Sequence, residues 1–342
     1  PSDVEVQIES DGGDLPELDE SGALNIPTDD GGVIVQFPGA FSPASANEDH
    51  DQNLAEVLDE GQLGLIGDDL VRGIDQDEQD RSKYVNNRAK GIDLLALALE
   101  SPRSDAGAGS SMEGMSSVRN PLLLEAVLRF QANARGELLP SGGPVKVKND
   151  GFSGVQIDQD ATLLERDMNA YLTVTATEYY PDTDKMLFSV GFGGCGFKKV
   201  YHCPLDRRPK SESVDAKDLI VPTNATHLRS ASRITQQIQM DPNTVRRMQL
   251  LGVYRDVELT EPMSSPANAV DAKIAQVSGQ APSTTRPEDR DFTLYECYCN
   301  LDLPGFEDVG EDGEPTGLKL PYKVTIDKDT KQVFEIRRNW DA

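Results

Sequence analysis

Residues 1–80 carry 22 Asp and Glu and a single base, Arg72, whereas residues 81–342 carry 37 acids and 32 bases. Most of the net charge of -26 therefore belongs to the N-terminal quarter of the chain. Residues 1–50 add many Gly and Pro and few aromatics to that charge. Alone, such a segment cannot bury enough apolar surface to offset the entropy of ordering it. It reads as an acidic N-terminal arm, ordered only where something holds it. One apolar patch, Val33-Ile34-Val35-Gln36-Phe37, interrupts it as a short strand or docking peptide.

The same charge bears on partners. Tight binding to a phosphate backbone needs clustered Lys and Arg. Here the basic pairs Lys198-Lys199, Arg207-Arg208, Arg246-Arg247 and Arg337-Arg338 are scattered, and each reads as a solvated face or as a partner of nearby acids. An acidic surface can still surround DNA that must slide without adhering. No apolar run reaches the 18 residues of a membrane span. Pro1-Ser2 reads as a native start after Met removal, with no basic and apolar leader behind it. Cys195, Cys203, Cys297 and Cys299 are then expected as reduced thiols. Their C-x7-C and C-x-C spacings, with His202 beside Cys203, depart from zinc-site spacing. Along an extended Leu294–Cys299, Cys297 and Cys299 share one face, which suits core filling.

Helical spacing begins after Asn53, which with Glu56 resembles a capping box, and involves Leu54, Val57, Leu58, Ile66 and Leu70. A second helix is expected from about Arg81 to Leu99, with Tyr84, Ile92, Leu95 and Leu99 on one side. Pro102–Ser117 reads as a Gly/Ser/Ala-rich loop. The clearest helix follows: Asn120 as N-cap, Pro121 in the first turn, a stripe of Leu123, Val127, Phe130, Ala134 and Leu138, and a stop at Pro140-Ser141-Gly142-Gly143-Pro144. Another helix is expected over Ala161–Leu172, and a short one from Asp241-Pro242 to Gly252. Strands are expected at Phe197–His202, Arg233–Met240, Phe292–Leu303, Tyr322–Asp327 and Gln332–Arg337, the last two joined by a hairpin at Lys328–Lys331. Pro262–Asp289 reads as a long loop or insertion. Helices first and antiparallel strands later define an α+β class. The expected division is an arm (1–50), a first domain (51–260), a loop or insertion (261–290) and a β-rich segment (291–342).

Few motifs suggest chemistry. Gly191-Phe192-Gly193-Gly194-Cys195-Gly196 matches G-x-G-x-x-G, but a dinucleotide site needs a strand before it and a helix after it. Phe197–His202 looks like a strand, so a small-residue packing turn is the preferred reading. Asp308–Glu314 is acidic, yet Gly310 and Lys319 occupy positions where a calcium loop needs acids. His50, His202 and His227 belong to no hydrolase or zinc-protease motif. No catalytic, cofactor-binding or metal-ligating residue is assigned, and no enzymatic role is expected.

From Leu54 onward the order of segments resembles the portal proteins of tailed bacteriophages, particularly the short-tailed type. The resemblance rests on Asn120–Val127 with Phe130-Gln131-Ala132 and the exit Leu139–Lys146, which look like an early wing helix. It continues through Gly196–Tyr201 with Pro204-Leu205, then Asp218–Pro222, Gly252–Val257, Leu320–Asp327 and Ile336–Trp340, co-linear over about 220 residues. Residues 1–50 and Pro262–Asp289 match nothing in that family. Portal subunits are also considerably longer, so the chain would be truncated, processed, or one part of a divided portal.

The resemblance implies a portal-type wing of helices (51–260) and a β-rich segment at or near the clip (291–342). It implies a homo-oligomeric ring, typically of twelve copies, at one capsid vertex of the virion, assembled in the host cytoplasm. Implied partners are further copies of the chain, the remaining portal half if the portal is split, the major capsid protein, the terminase large subunit and the head–tail adaptor. Double-stranded DNA would pass the channel without specific binding, no cofactor is implied, and ATP hydrolysis would belong to the terminase. The other reading is a different virion or scaffold interaction protein whose acidic arm binds a basic partner.

Overall fold

In the computed structural model the described residues are 24–27, 33–36, 52–95, 120–148, 154–263, 268–277, 290–309 and 314–339. Two compact units emerge, Pro1–Gln52 and Asn53–Ala342. In the first, β1 (Leu24–Pro27) pairs antiparallel with β2 (Val33–Gln36), Ile26 opposite Ile34. The strand expected at the apolar patch is thus present over Val33–Gln36, with a partner that composition did not suggest. The rest of the expected arm lies outside the described residues.

The second unit is α+β. Its helices are α1 (Glu60–Asp80), α2 (Ser82–Leu94), α3 (Leu122–Leu138), α4 (Val155–Ala170), α5 (Tyr179–Gly193), α6 (Pro242–Leu250) and α7 (Ala269–Val277). A two-stranded antiparallel ribbon joins β3 (Phe197–Cys203) to β4 (Arg208–Val214). A five-stranded antiparallel sheet runs in sequence order through β5 (Leu219–Ile220), β6 (Arg233–Met240), β7 (Phe292–Leu301), β8 (Leu320–Asp327) and β9 (Val333–Arg338).

Alternation along the central strands decides the layering. Tyr295, Cys297 and Cys299 of β7, with Tyr322, Val324 and Ile326 of β8, enter one core with Leu54, Leu58, Leu63, Leu70, Val71 and Ile74. That face lies under α1. Gly67 is required there, because an added Cβ would stand 2.4 Å from the Lys331 carbonyl oxygen. On the other face, at one end, Leu294, Phe292 and Phe334 pack with Val245 of α6 and Tyr254. Cys297 and Cys299 do fill the core, as their shared parity indicates.

Several expectations change in detail. Asn53 caps only a one-turn 3-10 helix, Leu54–Glu56, and Glu56 is exposed. The long helix starts at Asp59, whose side chain accepts from the Gly61 and Gln62 amides. The helix expected from Arg81 is α2, ending at Leu94; Leu99 and Pro102–Ser117 lie outside the described residues. The clearest sequence helix is present as α3, but Asn120 makes no capping bond and Pro121 holds the N-cap position. Ala161–Leu172 is the C-terminal part of α4 plus the start of a π turn, Tyr171–Thr175. Gly252, at φ 69°, ends α6 after an Asp241 cap, as the sequence indicates.

Two helices go beyond the sequence expectation, one in a stretch given no element and one inside the expected loop. Tyr179–Gly193 has little periodic contrast and is nonetheless α5, held by α3 on one side and β4 on another. Pro262–Asp289 contains α7, capped by Asn268 and anchored by buried Val270 against α2. Its Pro- and Ser-rich flanks hid nine helical residues. The sheet also takes β5 and β6 from before residue 260 and β7 to β9 from after 291, so it runs across the expected division.

Asn53 ties this sheet to the chain entry. Its Nδ2 donates to the carbonyls of Phe334 (3.0 Å) and Val253 (3.3 Å), and its Oδ1 accepts from the amides of Ala55 (3.1 Å) and Ile336 (3.0 Å). All four bonding positions of the amide are used. Asn53→Ala is expected to lower unfolding free energy by about 2–3 kcal/mol, because it orphans buried backbone groups on β9. Urea denaturation at neutral pH measures this; a loss below about 0.5 kcal/mol would remove Asn53 from that role.

Candidate functional site: a charged joint between sheet and helical lobe

The parity that sends Cys297 into the core sends Glu296 and Tyr298 to the opposite face. Cross-strand register sets Glu296 beside Thr325 and Thr325 beside Glu335, while Tyr298 stands beside Lys323 and Lys323 beside Arg337. Glu296 and Glu335 are both buried. Glu335 accepts from Thr325 Oγ1 (3.0 Å) and pairs with Lys323 (3.0 Å) and Arg337 (2.8 Å). Glu296 accepts from Tyr298 (2.6 Å) and pairs with Lys199. Burial pushes the Glu296 carboxyl up, but the Lys199 and Lys323 charges and the bonds from Lys199 and Tyr298 outweigh it and hold the pKa below the usual range. Glu296 is therefore an ionised acceptor, unsuited to donating a proton near neutrality.

Lys199 comes from β3, outside the sheet. Its neighbour Lys198 points the other way along the ribbon and meets Asp182 of α5 at 3.2 Å, over the Tyr179 ring. The ribbon is thus pinned to the sheet by one lysine and to α5 by the next. Sequence reading offered solvated faces or partnered acids for such pairs; here both lysines have acid partners. Arg208 with Glu178 (2.6 Å) and Arg246 with Asp256 (2.5 Å) behave likewise.

A second part of the joint lies beside β5. Arg81, between α1 and α2, donates to the carbonyls of Ala216 (3.0 Å), Lys217 (2.6 Å) and Leu219. Arg88 pairs with Asp215 at 2.9 Å and covers the Phe192 ring of α5. Lys217 reaches Asp271 of α7, and Lys273 of α7 reaches Asp93 of α2. Among these charges Asp218 is raised to about 6, first by burial and then by Asp215 and Asp271, against the pull of Lys217.

A raised acid is a recognised marker of function. Asp218, however, is not among the lining of the open depression formed by Arg246, Gln249, Asp256, Val257, Glu258 and Leu259. The G-x-G-x-x-G match is the end of α5: Gly194 is the left-handed C-cap at φ 78°, and β3 follows. A helix before and a strand after reverse the order a dinucleotide needs, so the packing-turn reading holds. In the acidic loop, Asp308 accepts from Thr316 (2.6 Å) and a bridge joins Val309 to Pro315; residues 310–313 lie outside the described residues. Among the described residues no cluster of three or more His, Cys, Asp or Glu could hold a metal, and no helix is long and apolar enough to cross a membrane. His50 lies outside the described residues, His202 is exposed on β3, and His227 begins a 3-10 turn.

What the arrangement can do is hold lobes in register. Segments far apart in sequence supply it: Gly196–Tyr201 gives Lys199, Asp218–Pro222 gives Asp218 and β5, Leu320–Asp327 gives Lys323, and Ile336–Arg338 gives Arg337. Sequence reading quoted these blocks without seeing that they meet. No protein-family model and no curated protein matches the chain.

Lys199→Met is expected to cost about 3 kcal/mol by stranding a buried carboxylate, and the Lys199→Met/Glu296→Gln double variant less than the sum of the singles. Chemical denaturation of the four proteins in this cycle measures the coupling; strict additivity would remove the pair from the joint. Asp218 acts through pH. Its folded pKa lies above its unfolded value, so ionisation costs nothing below about pH 4, and the cost grows to completion above about pH 6. Asp218→Asn is expected to raise the melting temperature by roughly 2–5 °C near pH 7.5 and to leave it unchanged near pH 3.5. Paired melts decide it, and an equal gain at both pH values would contradict the assignment.

Proposed function

We propose that the chain is a structural subunit of a closed homo-oligomer. Within that class, we read it as a portal subunit: a ring at one capsid vertex through which viral DNA is packaged and ejected, and on which terminase and tail adaptors dock. The observation that carries the first step is the state of the helical lobe. Among the described side chains α4 has none buried, α3 only Val127, and α5 only Thr183 and Leu187. Both apolar cores belong to the sheet. A lobe of three helices with so little interior of its own is suited to complete itself against neighbours.

The second step rests on the co-linear blocks and on charge. With a net charge of -26, the chain suits a channel that DNA crosses without sticking. The joint adds a reason for the blocks to occur together, since they stiffen one lobe against the other. Bond-making chemistry has no place in this reading. The alternative, a scaffold interaction protein, draws on the separate acidic unit Pro1–Gln52.

Electron microscopy of the purified full chain, alone and with any complementing chain, tests the proposal. Rings with an axial hole support it, and a monomer in every condition rejects it. Partner binding through residues 1–80 that weakens at high salt, without rings, would instead favour the scaffold reading.

A further inference from the structure

The packing of α4 is anomalous. Its tether is a strip of backbone: Asn169 bonds both ways with Val145 (2.9 and 3.0 Å), and Glu165 accepts from the Val147 amide (3.1 Å). Apart from the following π turn, it makes no more than marginal contact with any other described helix or strand. Yet Ile157, Leu164 and Met168 recur at i, i+7 and i+11, away from the tethered side, and remain 40%, 53% and 43% exposed. Asp160 and Asp167 flank that ridge at helical spacing.

A matching surface exists on α3. Its inner side rests on α5, where Phe130 and Val127 meet Gly191. Along one flank of that side Leu128 is 47% exposed, with Leu124 half-buried one turn before it. Arg135, on the same side as Leu124 and Leu128, is itself 60% exposed and only loosely paired with Asp184 at 3.5 Å. Such an exposed pair is worth little and can exchange partners.

We propose that the Ile157–Leu164–Met168 ridge of α4 docks on the Leu124–Leu128 ridge of α3 in a second copy of this chain, with Asp160 and Asp167 facing Arg135. The proposal deepens the ring reading and rests on it, because it names the two faces that meet. Charge selects the pairing. α4 carries Asp158, Asp160, Glu165 and Asp167 against Arg166, so two α4 helices meeting across a two-fold axis would oppose like charges. Two different faces meeting make a heterologous contact, which propagates from copy to copy and closes only as a ring.

The experiment uses full-length Leu164→Glu and Leu128→Glu variants, both at exposed positions, with circular dichroism to confirm native helix content. Sedimentation of the wild type is expected to show higher oligomers, and each variant alone to self-associate at least about 100-fold more weakly. An equimolar mixture is expected to give a one-to-one dimer and nothing larger, since only one intact pair of faces remains. Wild-type oligomers that survive in either variant overturn these faces while leaving the ring reading intact. Dimers of Leu128→Glu alone, with none for Leu164→Glu, overturn the heterologous pairing in favour of α4 on α4. A wild type that stays monomeric on its own overturns this proposal, and one that stays monomeric in every condition, with any complementing chain included, overturns the ring reading as well.

Discussion

Burial of β7 on both faces is the constraint that organises the rest. A strand covered on one side can be polar on the other at no cost. Here the second side is covered too, by α6 at one end and by the ribbon lobe beyond it. The polar residues that parity sends there, Glu296 and Tyr298, must then find partners inside the protein. Tyr298 donates to Glu296, Lys199 from the ribbon pairs with it, and Lys323 and Arg337 pair with Glu335 on the same face. Partnering Glu296 forces the helical lobe into a fixed relation with the sheet, because one of its cations belongs to that lobe. The need to satisfy one buried carboxylate thus becomes a device for holding two parts of a fold in register.

The two lobes are built on different principles. The sheet lobe is self-sufficient: α1, the entry turn and α6 cover its faces, and Asn53 fastens the chain entry to its last strand. The helical lobe is held together by directed contacts. Tyr180 and Tyr171 donate to the carbonyls of Pro140 and Pro209, Asn169 braces the strip after α3, and Lys198 braces α5. Polar bracing fixes geometry, but it supplies little of the area-proportional stabilisation that apolar burial gives. A lobe of this kind keeps its shape while leaving apolar side chains available to something outside it. That division of labour is what a repeating structural subunit needs, and it is the physical content of the functional reading.

Much of the fold was legible from local pattern. The α3 helix, the Asp241 cap with its Gly252 stop, and the parity of Cys297 and Cys299 all follow from spacing and backbone chemistry within a few residues. So do five of the six long strands described in the body, to within two residues at their ends. β4 was not legible, since Arg-Pro-Lys-Ser-Glu-Ser-Val has no apolar alternation and is a strand only because β3 pairs with it. α5 escaped for the opposite reason. It is apolar or small on several sides, so its pattern lacks the contrast that marks a surface helix.

The sequence by itself determined the α+β class, the charge imbalance between the first 80 residues and the remainder, and the faces of the central strands, because these depend on composition and on periods of 2 and 3.6. Only the tertiary structure decided which charges are buried together. Lys199 and Glu296 are 97 positions apart, Arg81 and Leu219 are 138, and Asn53 and Ile336 are 283. No local pattern encodes pairings at such separations. They arise when the sheet closes and solvent leaves, and each buried polar group must then bond to whatever the fold has brought beside it.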